Sequence, residues 1–321
     1  GLNLSGIKFC IDPGHGGHNP ADDRYLVPDP GLEFWESEGN FQKALWLKPL
    51  LEAHGATVIL TRYTNDYPND DEPSLSARVQ VANSNNVNWF HSIHSNATGL
   101  AVNNSINYTL MLVREKRGDN SSVSTGPGLG VPETQGAWDL SGMVGPLIFS
   151  HLRTTDSRRF LDWTFYGGNN GGFSLGVLRG LNMPGELSEG SMHDFFPETR
   201  RLMNNNYRKM EAYALQKSWM QYFSVPADPV GIVAGIQLDN VTGKPKNQTQ
   251  VRLLPEDRIY NGDAFNNGFY MFDSLTPGSH TLVFETTFYQ NDTVDIVISG
   301  GSVVFVNRTL TYAPFPFVVN T

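Results

Sequence analysis

One cysteine in 321 residues leaves no pair for an intramolecular disulfide, so stability must come from packing or a metal. That residue, Cys10, lies in an apolar run with Phe9 and Ile11 and reads as a small core side chain. Positive charge is also scarce: 23 lysines and arginines face 32 acidic residues, a formal charge of −9, and no basic run occurs. Nucleic acid and anionic membranes are therefore excluded as main partners. No apolar stretch approaches the roughly 20 residues that span a bilayer, so no transmembrane segment is expected. The chain opens on Gly rather than Met, which raises the expectation that a leader or upstream segment has been removed. Asn-x-Ser/Thr triplets, as at Asn3, Asn240 and Asn307, matter only in a host that glycosylates.

At this length two domains are the prior. Short apolar strands alternate with helical periodicity up to about Phe223, and helices disappear after about Pro229. The proline-bearing stretch "SVPADPVG" (224–231) reads as the linker, giving domains 1–225 and 226–321. In the first, "ESEGNFQKALWLKPLLEAHG" places Phe41, Ala44, Leu45, Leu47, Leu50 and Leu51 at helical spacing and ends in Gly55, a C-terminal stop. "SLSARVQVANSN" reads as a helix capped by Ser74, and "ATVILTR" and "VNWFHSIHSN" as strands. "AWDLSGMVGPLIFSHLR" and a single run from 195 to 223 read as helices flanking two short strands, "LGVLRG" and "GELSE". Strand alternating with helix predicts an α/β layered domain with a parallel or mixed sheet. The Gly-, Ser- and Pro-rich run 115–136 reads as a long loop, either a lid or disordered. After the linker, about seven β-rich runs separated by turns such as "TGKP" and "TPGSH" predict a β-sandwich.

The chemistry concentrates at strand ends. "CIDPGHGG" (10–17) ends an apolar strand in a tight turn that presents His15, with glycines at 14, 16 and 17 that permit positive φ and close approach. "SIHSNA" (92–97) puts His94 at the end of another strand, and carboxyl ends of parallel strands line one crevice. Glu36 begins a helix. Two histidines and one carboxylate make a hydrolytic zinc set with an open fourth position. "MPGELSEG" (183–190) offers Glu186 and Glu189 as candidate general bases.

These stretches resemble the zinc-dependent N-acetylmuramoyl-L-alanine amidases called amidase type 3. "IDPGHGG", a glutamate nineteen residues before the glycine of "EAHGATVILTR", "LSARVQVAN", "FHSIHSNA" and "MPGELSEG" follow that family's order and spacing over about residues 6–223. The resemblance implies a phosphorylase/hydrolase-like α/β fold, a mixed sheet with helices on both faces. It also implies zinc held by His15, Glu36 and His94, and Glu189 as the catalytic carboxylate of the "P-x-x-L-x-E" strand from Pro184. Of Glu33, Glu36 and Glu38, the resemblance favours Glu36, which alone keeps the helix register in which Ala44 and Leu47 match the family's apolar positions. Glu186 and His91, each three residues from its rival on a strand, point to the opposite face. His18 stands as a candidate extra ligand, Asp12 as a partner for a ligand histidine, and His193 and Asp194 as residues that hold a loop or help bind substrate.

The tail, "GIVAGIQLDNVTGKP…NNGFYMFDSLTPGSHTLVFE", resembles carboxypeptidase regulatory-like, or transthyretin-like, domains. The two resemblances together imply a secreted or periplasmic bacterial enzyme, expected as a monomer, that cleaves the amide between N-acetylmuramic acid and L-alanine in peptidoglycan or muropeptides. A zinc peptidase of stem peptides and a non-catalytic wall-binding protein are the alternatives.

Overall fold

The computed structural model describes residues 3–66, 72–99, 101–118 and 126–313. It divides into two units, Gly1–Pro226 and Ala227–Thr321. The first contains β1 (Lys8–Pro13), β2 (Tyr25–Asp29), β3 (Leu32–Trp35), α1 (Glu36–Glu52), β4 (Thr57–Leu60), α2 (Leu75–Ser84), β5 (Trp89–Asn96) and β6 (Thr109–Val113). There follow β7 (Glu115–Arg117), β8 (Gly128–Pro132), α3 (Gln135–Leu152), β9 (Ser157–Leu161), α4 (Asp162–Phe165), β10 (Gly185–Met192), α5 (Phe196–Leu202) and α6 (Asn205–Tyr222).

Six strands form one mixed sheet in the order β4-β1-β5-β10-β6-β9. The neighbours from β4 to β10 run parallel, β6 lies antiparallel to β10, and β9 is parallel to β6. Period-2 alternation divides the side chains between the two faces. Phe9 and His91 meet Trp219 of α6 on one face, where α1 and α3 also pack. Cys10, Phe90, Leu112 and Leu187 join Ala82 of α2 and Leu178 in a buried cluster on the other. Helices thus cover both faces. Cys10 is a core residue, its thiol pushed up by burial and by the charge of Asp12.

Local signals explain the helix ends. Ser74 Oγ accepts the Ala77 N–H at 3.2 Å and caps α2. α1 buries Phe41, Ala44, Leu47 and Leu51 on one stripe, and Gly55 beyond it takes φ +87°.

Three expectations are corrected. "LGVLRG" is not a strand: Gly176–Leu178 forms a 3₁₀ turn whose Val177 and Leu178 plug the core, a short apolar run that periodicity alone cannot classify. The run 195–223 breaks into α5 and α6, because Asn204 leaves the helical conformation and its side chain accepts the Tyr207 N–H at 3.0 Å. The 115–136 loop holds the hairpin β7–β8 and the start of α3; its residues 119–125 lie outside the described residues.

The second unit is all β. Its strands are β11 (Gly231–Asp239), β12 (Gln250–Leu254), β13 (Arg258–Asn261), β14 (Phe269–Leu275), β15 (Gly278–Phe284), β16 (Asp292–Ile298), β17 (Val303–Phe305) and β18 (Arg308–Leu310). One four-stranded sheet has β11 between β14 and the pair β17 and β18; the other runs β13-β12-β15-β16. A single apolar cluster draws Val233, Tyr270 and Phe272 from the first and Val251, Leu282, Phe284 and Ile296 from the second.

Candidate metal centre and cleft

β1 stops at Pro13, and the next five residues turn under restraint. His15 has φ +57° and His18 +52°, alongside Gly17 at +60°. The left-handed conformation thus falls on two histidines, while Gly14 and Gly16 do without it. A non-glycine residue held there costs on the order of 1 kcal/mol or more. Two buried arginines hold the turn. Arg62 donates to the carbonyls of Pro13 at 3.0 Å and Gly14 at 3.3 Å. Arg78 donates to those of Pro13 and His15, both at 2.9 Å. Gly14 is needed for closeness: a Cβ there would lie 2.1 Å from Cε1 of His94.

Glu36, the first residue of α1, is 2% exposed and stands between the two rings. Its Oε2 is 3.3 Å from His15 Nε2, and its Oε1 is 3.3 Å from His94 Nδ1. Oε1 also accepts from the Ser95 N–H at 3.0 Å and from Asn40 Nδ2 at 3.2 Å. The structure therefore brings His15, Glu36 and His94 together, with their ligand atoms within 4.8 Å of one another.

The electrostatics fit a cation. Burial alone would raise the Glu36 carboxyl; His15 first, then His94 and His193, overcome this and hold it well below the usual carboxylate range. Burial opposes a charge on His15, but Glu36 and Asp22 outweigh it and raise that imidazole to about 9. Burial lowers His94 despite Glu36, keeping its ring in the neutral form a metal requires. A buried carboxylate with an imidazole nitrogen 3.3 Å from each of its oxygens is a site that a divalent ion can satisfy. The donor set, two imidazoles and a carboxylate, is that of a hydrolytic zinc site.

Glu189 sits beside this group. On the parallel pair β5 and β10 it is the register partner of His94, so both project from the same face. One of its carboxylate oxygens is buried with no hydrogen-bond partner. Burial, then repulsion from Glu36, raises its carboxyl well above the usual range. His15, His94 and Glu189 line one cavity of about 880 Å³ with Tyr166, Arg24 and Arg179.

The rival residues go elsewhere. Glu186 faces the helix layer, where its Oε1 is 3.0 Å from His91 Nδ1, and Ser188 Oγ meets the other ring nitrogen at 3.0 Å. Glu38 pairs with Arg208 at 3.0 Å, and Glu33 bonds Tyr25. His18 stacks flat on Trp35 with ring centroids 4.7 Å apart, and does not join the ligand group. Asp12 does not reach a ligand histidine: Thr61, Ser92 and Arg78 hold its carboxylate at 2.6, 2.6 and 2.8 Å. Asp22 takes the partner's place instead, with Oδ2 3.2 Å from His15 Nδ1. Asp194 accepts from Thr98 and Asn103 and holds the loop after β5, while His193 is buried against Ser95 Oγ at 2.9 Å and lies 3.9 Å from Glu36.

Sequence reading missed Asp22, Ser95, Arg62, Arg78 and Tyr166. It also missed Asn40, which did leave a local trace, since a residue four positions after Glu36 on a helix lies over it.

Comparisons with known proteins bear on this site. Residues 9–130 match the sequence profile of the family described as N-acetylmuramoyl-L-alanine amidase. A sporulation-specific N-acetylmuramoyl-L-alanine amidase of Bacillus subtilis (strain 168) is 35% identical over 95 residues, 29% of this chain and 32% of that protein. An N-acetylmuramoyl-L-alanine amidase of Bacillus licheniformis is 36% identical over 95 residues, 29% of this chain and 33% of that protein. The matched part thus spans about a third of these curated relatives' length. Among solved structures, the catalytic domain of an N-acetylmuramoyl-L-alanine amidase from Bacillus (Paenibacillus) polymyxa var. colistinus matches 68% of this chain and 99% of its own, at 18% identity and TM-score 0.51. An N-acetylmuramoyl-L-alanine amidase from Clostridium difficile 630 matches 69% and 98%, at 22% identity and TM-score 0.51. These two share the fold of the first unit.

Proposed function

We propose that the chain is a zinc-dependent N-acetylmuramoyl-L-alanine amidase, with the first unit as catalytic domain and the second as an appended carboxypeptidase regulatory-like β-sandwich. The observation that carries this reading is the placement of Glu189 as register partner of His94, beside His15 and Glu36, in one cleft. The profile match over 9–130, which includes all three ligand candidates, supports it.

His15, Glu36 and His94 would hold the zinc. The chemistry such an ion supplies is Lewis acidity, which polarises a carbonyl and makes water acidic enough to attack near neutral pH. Water adds to the lactyl carbonyl of the muramic acid, and Glu189 accepts its proton. As the C–N bond breaks, Glu189 returns that proton to the departing nitrogen of L-alanine. Its buried carboxyl, raised above the usual range by burial and by Glu36, suits both duties, because it holds a proton more readily than an ordinary carboxylate. Asp22, on the far nitrogen of His15, keeps that ring turned toward Glu36. The substrate places the enzyme in the periplasm or outside the cell.

Mass spectrometry of muropeptides, with metal analysis of the same samples, tests the proposal. Wild type is expected to carry one zinc and to release intact stem peptide. Glu189→Gln keeps the zinc and loses about 10²- to 10⁴-fold in turnover. Cleavage of sugar-free peptides in preference to muropeptides would instead make it a peptidase, and loss of zinc from Glu189→Gln would remove the role given to that residue.

A further inference from the structure

We infer that the cleft selects an acidic peptide, and that Arg24 and Arg179 bind its carboxylates. This deepens the amidase reading and rests on it.

The two arginines enter from different segments. Arg24 precedes β2, and its carbonyl accepts the Glu36 N–H at 3.0 Å, which ties it to a ligand residue. Arg179 follows the 3₁₀ turn at 176–178. Both line the cavity that holds His15, His94 and Glu189. Among the described residues, neither guanidinium has a hydrogen-bond or ion-pair partner. The third arginine of the lining, Arg78, is engaged with Asp12 and two turn carbonyls, and elsewhere in this unit Arg208 pairs with Glu38 and Arg200 grips Asp29 at 2.8 Å.

Both arginines are exposed to solvent at the cleft, so each guanidinium is open to a ligand. Asp22 and Glu72 line the same cavity, yet neither pairs with these arginines, because Asp22 is turned to His15 and Glu72 accepts from Asn19. Two solvent-exposed guanidinium forks on the lining of a cleft whose other arginine, Arg78, is already engaged are left for an anion that arrives with the substrate. A planar guanidinium matches a carboxylate in bidentate geometry and discriminates against the neutral carboxamide, which offers one acceptor and no charge. Beside Arg179 the wall turns apolar, where exposed Phe173 stacks on Tyr166 with centroids 4.3 Å apart.

The test uses N-acetylmuramoyl-L-alanyl-D-glutamate and its two monoamides, one with the α-carboxylate blocked and one with the γ-carboxylate blocked. Calorimetry on zinc-loaded Glu189→Gln measures binding without turnover, and kcat/KM on the wild type follows in parallel. The diacid is expected to bind about tenfold tighter than at least one monoamide. Loss with the α-amide assigns the main-chain carboxylate, and loss with the γ-amide the side-chain one. In the Glu189→Gln background, Arg179→Ala and Arg24→Ala together abolish the preference, and Arg179→Lys with Arg24→Lys restores part of it. In the active enzyme the alanine pair raises KM for the diacid while kcat holds. Equal affinity for all three ligands, or a preference that survives the double alanine variant, overturns the inference even if every ligand is cleaved. A preference without any cleavage sinks the amidase reading and leaves the arginine site standing.

Discussion

The imidazole of His94 occupies the space that a side chain on residue 14 would need. A Cβ on Gly14 would meet Cε1 at 2.1 Å and Nε2 at 2.2 Å, while the Gly14 N–H donates to the Ile93 carbonyl at 3.0 Å. The turn therefore lies against β5 because residue 14 has no side chain, and that contact sets how near His94 stands to His15 and Glu36. Gly14→Ala should force the ring away and cost about 1–3 kcal/mol of packing. Its signature is loss of bound zinc in a protein that still folds, read by metal analysis and circular dichroism. A variant with full zinc content would show that the turn yields instead.

Asp22 and His15 form a carboxylate–imidazole pair, with the hydrogen bond holding Asp22 below the usual carboxylate range. The Asp22 side chain is 64% exposed, so its effect belongs at the low end for residues behind a metal ligand. Asp22→Asn should weaken zinc binding about tenfold, measured by competition with a chromophoric chelator. An unchanged Kd would mean that the turn alone orients His15.

Lys43 and Glu211 pair at 2.7 Å between α1 and α6, at 1% and 0% exposure. Removing one partner strands a charge in the core. Lys43→Met is expected to cost about 3–5 kcal/mol in urea unfolding, and Lys43→Met with Glu211→Leu to recover most of it. If the double variant is no more stable than the single, the pair contributes more than mutual compensation.

His151, buried near the end of α3, donates its Nδ1–H to the Leu147 carbonyl at 2.8 Å. Burial pushes its imidazole down to about 4. The unfolded chain titrates near 6.5 and binds the proton first, so stability is complete above about pH 6.5 and is lost as pH falls toward 4. The full difference is on the order of 3 kcal/mol. Unfolding in chelator at pH 7 and pH 4.5 should show a smaller acid loss in His151→Asn than in wild type. Parallel losses would place the acid sensitivity elsewhere.

Much of this was legible because the signals are local. A strand that ends in Asp-Pro-Gly must turn at once, and the residue after the glycine, His15, must stand at its mouth. Period 2 on a strand separates Glu186 from Glu189 and His91 from His94 whatever surrounds them, and the structure places them on opposite faces. Ser74 caps its helix by a bond across three residues. The apolar run 175–180 carried no such signal: β-formers suit a strand and a buried 3₁₀ turn alike, and only packing with Ala82 of α2 and the rest of that cluster decides.

By itself, then, the sequence determined where β1 and β5 end, where α1 and α2 start and the face each candidate side chain would take, because these depend on neighbours a few residues away. Tertiary structure alone decided what those groups meet. Arg62 and Arg78 reach the turn carbonyls from 48 to 65 residues away, so their grip exists only once the sheet has formed. Their hold makes a left-handed histidine tolerable, which is why positive φ falls on His15 while Gly14 is kept for closeness. Asp12 and Asp22 are both near His15 in sequence, but Asp12 turns into the sheet toward Arg78 and Asp22 reaches the ring, a choice made by packing around them.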